Sequence, residues 1–140
     1  MLFKKKVDLD FLNDLGKNTM LEFLGIKITK AGDDFLEATM PVTERTKQPM
    51  GLLHGGANVV LAETLGSIAS SLMVDSEKQY TVGLEINANH LKSVTIGLVR
   101  GITRPIHIGK KTQVWEIKIF SDKEELTCIS RLTIAVLDKK

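Results

Sequence analysis

The stretch Gln48-Pro49-Met50-Gly51-Leu52-Leu53-His54-Gly55-Gly56-Ala57-Asn58-Val59-Val60-Leu61-Ala62-Glu63-Thr64-Leu65-Gly66-Ser67 decides how the rest of the chain folds. It opens on Pro and Gly, passes through a His-Gly-Gly turn and then becomes apolar at helical spacing. Leu61, Leu65, Ile68 and Leu72 fall on one stripe of a helix that should run from about Gly55 to Met73. Glu63, Ser67 and Ser71 form a narrow polar line on another side. Nearly everything else between Val59 and Met73 is apolar or small, so the helix is expected to be buried on most sides. A carboxylate in such a place, Glu63, is expected to be there for its chemistry.

The glycines before the helix have a role of their own. The first N–H groups of a helix lack partners inside it, and the helix dipole favours negative charge at that end. Without side chains at Gly55 and Gly56, a substrate oxygen can come close to those donors, which makes a candidate oxyanion hole. An oxyanion site at the helix start and an acid two turns on suit acyl transfer.

Working outward, Leu9, Phe11, Leu12 and Leu15, followed by Gly16, predict a short amphipathic helix. A strand is expected from about Gly25 to Lys30, a turn at 31–34, and a second strand from Phe35 to Val42. Residues 43–53 read as a loop carrying Gln48. After the helix the period is two: Thr81–Leu91, with Val82, Leu84, Ile86 and Ala88 on one face, then Val94–Ile106, Thr112–Phe120 and Glu125–Leu137. The expected fold class is α+β: a curved antiparallel sheet, its last four strands a meander, wrapped around one long central helix. The uncovered sheet face and edge strands point to an oligomer.

The 140 residues are read as one domain, 1–140, large enough for a real core. A net charge of +2 and 5% aromatic residues argue against a nucleic-acid partner. The single cysteine, Cys128, allows no internal disulfide and is read as core in a reducing compartment. Lys4-Lys5-Lys6 is followed by Val7-Asp8-Leu9-Asp10 rather than an apolar run, so no signal peptide, no membrane partner and a cytoplasmic location are expected. Three histidines without close Cys or carboxylate partners suggest no metal site.

The segments 36–42, 45–67, 83–93, 99–120 and 130–136, above all His-Gly-Gly with Gln before it, Glu seven residues after Gly56 and then Ser, resemble hotdog-fold acyl-CoA thioesterases of the 4-hydroxybenzoyl-CoA thioesterase type. The resemblance spans essentially the whole chain. It implies hydrolysis of an acyl-CoA to the acid and free coenzyme A, with Glu63 as nucleophile or general base and the Gly55 N–H as oxyanion donor. It places Gln48 and His54 beside the thioester and Ser67 near the attacking water. Gly56, His90, Lys92, Ser93, His107, Gly109, Lys110 and Lys111 match substrate or coenzyme A contacts. The substrate implied is aromatic, 1,4-dihydroxy-2-naphthoyl-CoA of menaquinone biosynthesis or a similar aryl-CoA. The partner implied is a second copy of the chain: a dimer whose active site takes Glu63 from one subunit and the His-Gly-Gly turn from the other, two dimers forming a tetramer. No cofactor is implied beyond the coenzyme A of the substrate.

Plainer readings stand beside these. Glu63 can be a structural carboxylate satisfied by Ser67, His54 a helix cap, and Lys110-Lys111 a solvated turn. A hydratase on the same fold, a thioesterase of aliphatic acyl-CoA and a non-catalytic acyl-CoA binding module are the rival functions.

Overall fold

A computed structural model describes residues 3–140. Two short helices, α1 (Leu9–Leu15) and α2 (Met20–Leu24), lead into the hairpin of β1 (Lys27–Ala31) and β2 (Leu36–Pro41). The long helix α3 (Gly55–Leu72) follows, then β3 (Gln79–His90), β4 (Leu98–Ile108), β5 (Thr112–Phe120) and β6 (Leu126–Asp138). The six strands form one antiparallel sheet in the order β1-β2-β4-β5-β6-β3. The expected four-strand meander is therefore corrected. Only β4, β5 and β6 run as a meander; β3 pairs with β6 at the far edge, and β4 pairs back onto β2.

The period-two pattern holds where the sheet is covered on one face. On β5, Gln113, Trp115, Ile117 and Ile119 are buried against α3, while Val114, Glu116, Lys118 and Phe120 lie half-buried on the other face. Trp115 is fully buried, and its Nε1–H donates to Gln113 Oε1 at 2.9 Å, which satisfies both polar groups. Leu132 and Ile134 of β6 and Val99 of β4 complete the layer under the helix.

The helix is less enclosed than expected. Ala57, Leu61, Ala62, Leu65, Ala69 and Leu72 face the sheet and are buried. Val60, Glu63, Thr64, Ser67 and Ile68 are only half-buried, so Ile68 belongs to the flank and Glu63 is not sealed within its own chain. The sheet covers one side of α3; the opposite side, which carries Glu63, is partly open.

The face assigned to β3 also needs correction. Thr81 and Gly83 face the helix, Thr81 Oγ1 accepting a hydrogen bond from Ser70 Oγ at 3.0 Å. A bulge at Leu84, between the pairs Gly83–Ile134 and Glu85–Thr133, then reverses the alternation. Ile86 and Ala88 pack inward, while Val82 and Leu84 point outward, exposed. One extra residue moves every later side chain to the other face.

Two further differences are local. The segment 20–24, for which no element was expected, is α2, with Thr19 as N-cap and Gly25 closing it at φ 76. Val94–Gly97 is loop rather than strand, so β4 begins at Leu98.

Candidate active site

The start of α3 is built by a tied-down loop. Lys47 and Leu53 form an isolated antiparallel bridge, Leu53 N–H donates to Val94 O at 2.7 Å and His54 N–H to Thr46 O at 2.8 Å. Thr46, itself buried, donates to Pro41 O at 2.8 Å. The loop is thereby anchored to the ends of β2 and the 91–97 segment. Gln48 Oε1 accepts from Met50 N–H, which fixes the amide and leaves its NH2 group unengaged.

His54 is the N-cap of α3. Its Nδ1 accepts the Gly56 N–H at 2.8 Å, and its carbonyl accepts Ala57 N–H at 3.0 Å and Asn58 N–H at 3.3 Å. Among the described residues nothing accepts the Gly55 N–H. The first turn therefore has one free donor, at the residue for which the oxyanion role was expected. Gly56 is not such a donor: its N–H is spent on the cap.

Gly55 opens into a cleft of about 330 Å³. Gln48, Asn58, His90, Lys92 and Ser93 share its lining. His90 stands at the end of β3 on the helix-facing side, opposite Cys128. A Cβ on Gly55 would come within 2.8 Å of His90 Nε2 and 3.2 Å of both adjacent ring carbons, so the imidazole lies flat over the glycine. Lys92 forms an ion pair with Glu125 at 3.0 Å, on the surface, where screening leaves little binding energy in the pair.

Glu63 and Ser67 are elsewhere. They line a second opening, of about 380 Å³, with Met20, Leu21, Val60 and Ile68. Glu63 Oε1 would lie 2.9 Å from a Cβ on Gly83, so the missing side chain there is what lets the carboxylate rest on β3. Glu63 follows Gly55 by eight helical positions, about 12 Å of rise. Within one chain the acid and the free donor cannot act on one carbonyl.

The remaining candidates form a third place. Gly109, Lys110 and Lys111 line a groove of about 730 Å³ with Lys4 and Gln79. Thr112 pairs with Ala135, which pairs with Val82, whereas His90 pairs with Cys128. The 109–111 turn thus lies toward the opposite end of the sheet, roughly 26 Å along β3 from His90. His107 folds its ring over Gly109 and does not join that groove. The contacts expected for coenzyme A are therefore not assembled in one chain.

Sequence reasoning missed Asn58 and the apolar residues Met20 and Leu21. The signal for Asn58 was available: it is a polar side chain on an apolar helix, the same oddity that singled out Glu63. Met20 and Leu21 lie in a segment for which no element was expected. Among the described residues no three His, Cys, Asp or Glu side chains lie close enough to hold a metal ion, and no helix is long and apolar enough to cross a membrane.

Residues 50–128 match the family model of the thioesterase superfamily. The chain belongs to that superfamily. The thioesterase is 56% identical over 137 residues to a 1,4-dihydroxy-2-naphthoyl-CoA hydrolase of Escherichia coli, covering 98% of this chain and 100% of that protein. It is 50% identical to the proofreading thioesterase EntH of Cronobacter sakazakii, over 98% of this chain and 99% of the other. A crystal structure of a mutant thioesterase from Pseudomonas aeruginosa superposes with a TM-score of 0.98 at 48% identity, covering 99% and 100% of the two chains. A Haemophilus influenzae thioesterase gives 0.95 at 49% identity, over 99% and 96%. The helix-in-sheet architecture is the hotdog fold, and the thioesterase is a thioester hydrolase.

Proposed function

We propose that this thioesterase hydrolyses an aromatic acyl-CoA, with 1,4-dihydroxy-2-naphthoyl-CoA as the leading substrate, at a site made by two copies of the chain. One subunit supplies the cleft with the free Gly55 N–H, and its partner supplies the Glu63 carboxylate. The observation that carries this reading is the separation just described: one unpaired donor at the helix start, and the only acid of that helix about 12 Å away on a different opening. The substrate preference rests on the similarity to the Escherichia coli hydrolase over nearly the full length of both proteins.

The chemistry follows from the parts. The thioester carbonyl oxygen accepts from Gly55, at a helix N-terminus that favours its developing negative charge. Glu63 attacks the carbonyl carbon or takes a proton from the water that does. The C–S bond breaks and the coenzyme A thiolate takes up a proton; if Glu63 is the nucleophile, water then opens the mixed anhydride it forms, and in either route the acid leaves and Glu63 returns to its carboxylate. Gln48, through its unengaged NH2, and His54, at the cap, hold the thioester, and Ser67, one turn after the acid, orients the water. The apolar opening around Val60, Met20 and Ile68 is placed to take the acyl group, and its 380 Å³ lies within the ~300–1,000 Å³ of ordinary small-ligand pockets. His90, Lys92 and Ser93 face the coenzyme A arm. His107, Gly109, Lys110 and Lys111 can contribute only from another subunit. No metal or redox group has a step in this scheme.

The test is free-thiol release from 1,4-dihydroxy-2-naphthoyl-CoA, benzoyl-CoA, a medium-chain acyl-CoA and a 3-hydroxyacyl-CoA, combined with subunit mixing. Glu63→Ala and Gly55→Ala should each be inactive alone. Co-assembled, they should recover about a quarter of wild-type activity, because half the dimers then hold one intact site. Absence of any recovery would reject the shared site; preference for aliphatic substrates would reject the aromatic assignment.

A further inference from the structure

Asn58 sits at the second turn of α3, only 5% exposed, and its Oδ1 is buried without a hydrogen-bond partner. Its Nδ2 lies 3.4 Å from His90 Nδ1. Reversing the amide would bring Oδ1 to the ring but strand a buried NH2 group in place of a single oxygen. Orphaned buried donors are rarer than under-satisfied oxygens. The amide therefore donates to Nδ1, and a neutral imidazole that accepts at Nδ1 carries its proton on Nε2. That nitrogen is on the cleft side: the ring lies flat over Gly55, with Nε2 its nearest atom to the glycine, and His90 is exposed to the cleft.

The distances allow a shared acceptor. Nε2 is 2.8 Å from the position of a Gly55 Cβ, which standard geometry puts about 2.5 Å from the Gly55 nitrogen. The two donor nitrogens are then at most about 5 Å apart, and one oxygen at roughly 2.9 Å from each can accept from both. We propose that Asn58 is a positioning residue that holds the His90 imidazole in its Nε2–H form over Gly55, so that His90 and the Gly55 N–H donate together to the thioester carbonyl oxygen. His90 is then a catalytic residue rather than only a coenzyme A contact. The inference rests on the oxyanion role of Gly55 argued above.

The experiment combines imidazole 15N–1H spectra of the assembled enzyme with steady-state thiol release by Asn58→Leu, His90→Ala, His90→Gln and Glu63→Gln. Wild-type His90 should be protonated at Nε2 at neutral pH. His90→Ala should lower kcat about 100-fold, the scale of a lost oxyanion donor, with KM nearly unchanged. His90→Gln, which keeps an N–H donor, should recover part of that loss. Asn58→Leu should lose the tautomer preference and lower kcat with little change in KM. Wild-type His90 protonated at Nδ1 would overturn the proposal without any variant. So would a rise in KM at constant kcat in His90→Ala, or an unchanged kcat in folded Asn58→Leu. If Glu63→Gln retained full turnover, the whole site would be misplaced; if it were inactive while His90→Ala kept its kcat, this proposal alone would fail.

Discussion

At the scale of single residues, the free N–H of Gly55 and the carboxylate of Glu63 are the two groups on which turnover should depend most. Replacing Glu63 with Gln keeps the shape and removes the charge. We expect thiol release to fall by about 10³-fold or more, with the fold intact by circular dichroism, since the group is asked to act only in the transition state. Gly55→Ala leaves the backbone N–H in place but drives a methyl to 2.8 Å from His90 Nε2, so the ring must leave its place over the helix start. Activity should be lost while the melting temperature changes little, because His90 borders an open cleft and can move. Cys128 gives a contrasting prediction. It is fully buried, and burial raises its thiol pKa from 9.0 to about 11. The native state thus favours the neutral thiol. Its contribution to stability is complete below pH 9.0 and is lost as the pH rises toward about 11, because the unfolded chain ionises first. Denaturation midpoints should decline across that window, and Cys128→Ala should decline less. The thiol should react with a disulfide reagent only on unfolding.

At the scale of elements, α3 is held by a histidine cap, a bare face and a pair of close approaches. Gly66 has no room for a side chain: a Cβ there would sit 2.6 Å from Leu132 Cδ2, and Leu132 is fully buried in the core. Gly66→Ala should therefore destabilise the protein by about 1–3 kcal/mol through overpacking, read as a lower denaturant midpoint. The cap shows what local sequence can reveal. His54-Gly55-Gly56 before an apolar run put the helix start at about Gly55, where it lies, because the chemistry of a helix terminus is set by its own neighbours. The bulge in β3 shows the converse. Gly83, an isolated glycine inside a strand pattern, is a local signal of a bulge, but the alternation alone put Val82 and Leu84 on the same face as Ile86 and Ala88. Pairing with β6 decides the register, and Gly83 is needed where the Glu63 carboxylate comes to rest.

At the scale of the whole molecule, the single chain is left incomplete along β3. That strand is twelve residues long, lies at the sheet edge and exposes Tyr80, Val82 and Leu84. An edge of this length and apolarity is usually covered. We propose that the partner subunit covers this edge, and that the open side of α3 with Glu63 turns toward the partner's cleft. The double substitution Val82→Lys and Leu84→Lys should give a folded monomer by sedimentation that releases no thiol; a monomer that kept wild-type turnover would sink the shared site.

Periodicity and one motif were enough for the class of fold, the long helix and the turn at its start, and the resemblance that motif carries pointed to the hydrolase chemistry. The helix and its turn rest on local rules, helix capping and side-chain period. The strand order, the reversed face of β3, the openness around Glu63 and the scattering of the coenzyme A candidates over separate surfaces came only with the tertiary structure. They depend on which distant segments pair, and a linear pattern carries no information about partners. The place of Asn58 against His90 is of the same kind: they are thirty-two positions apart in the sequence, and only the return of β3 over the start of α3 brings amide and imidazole together.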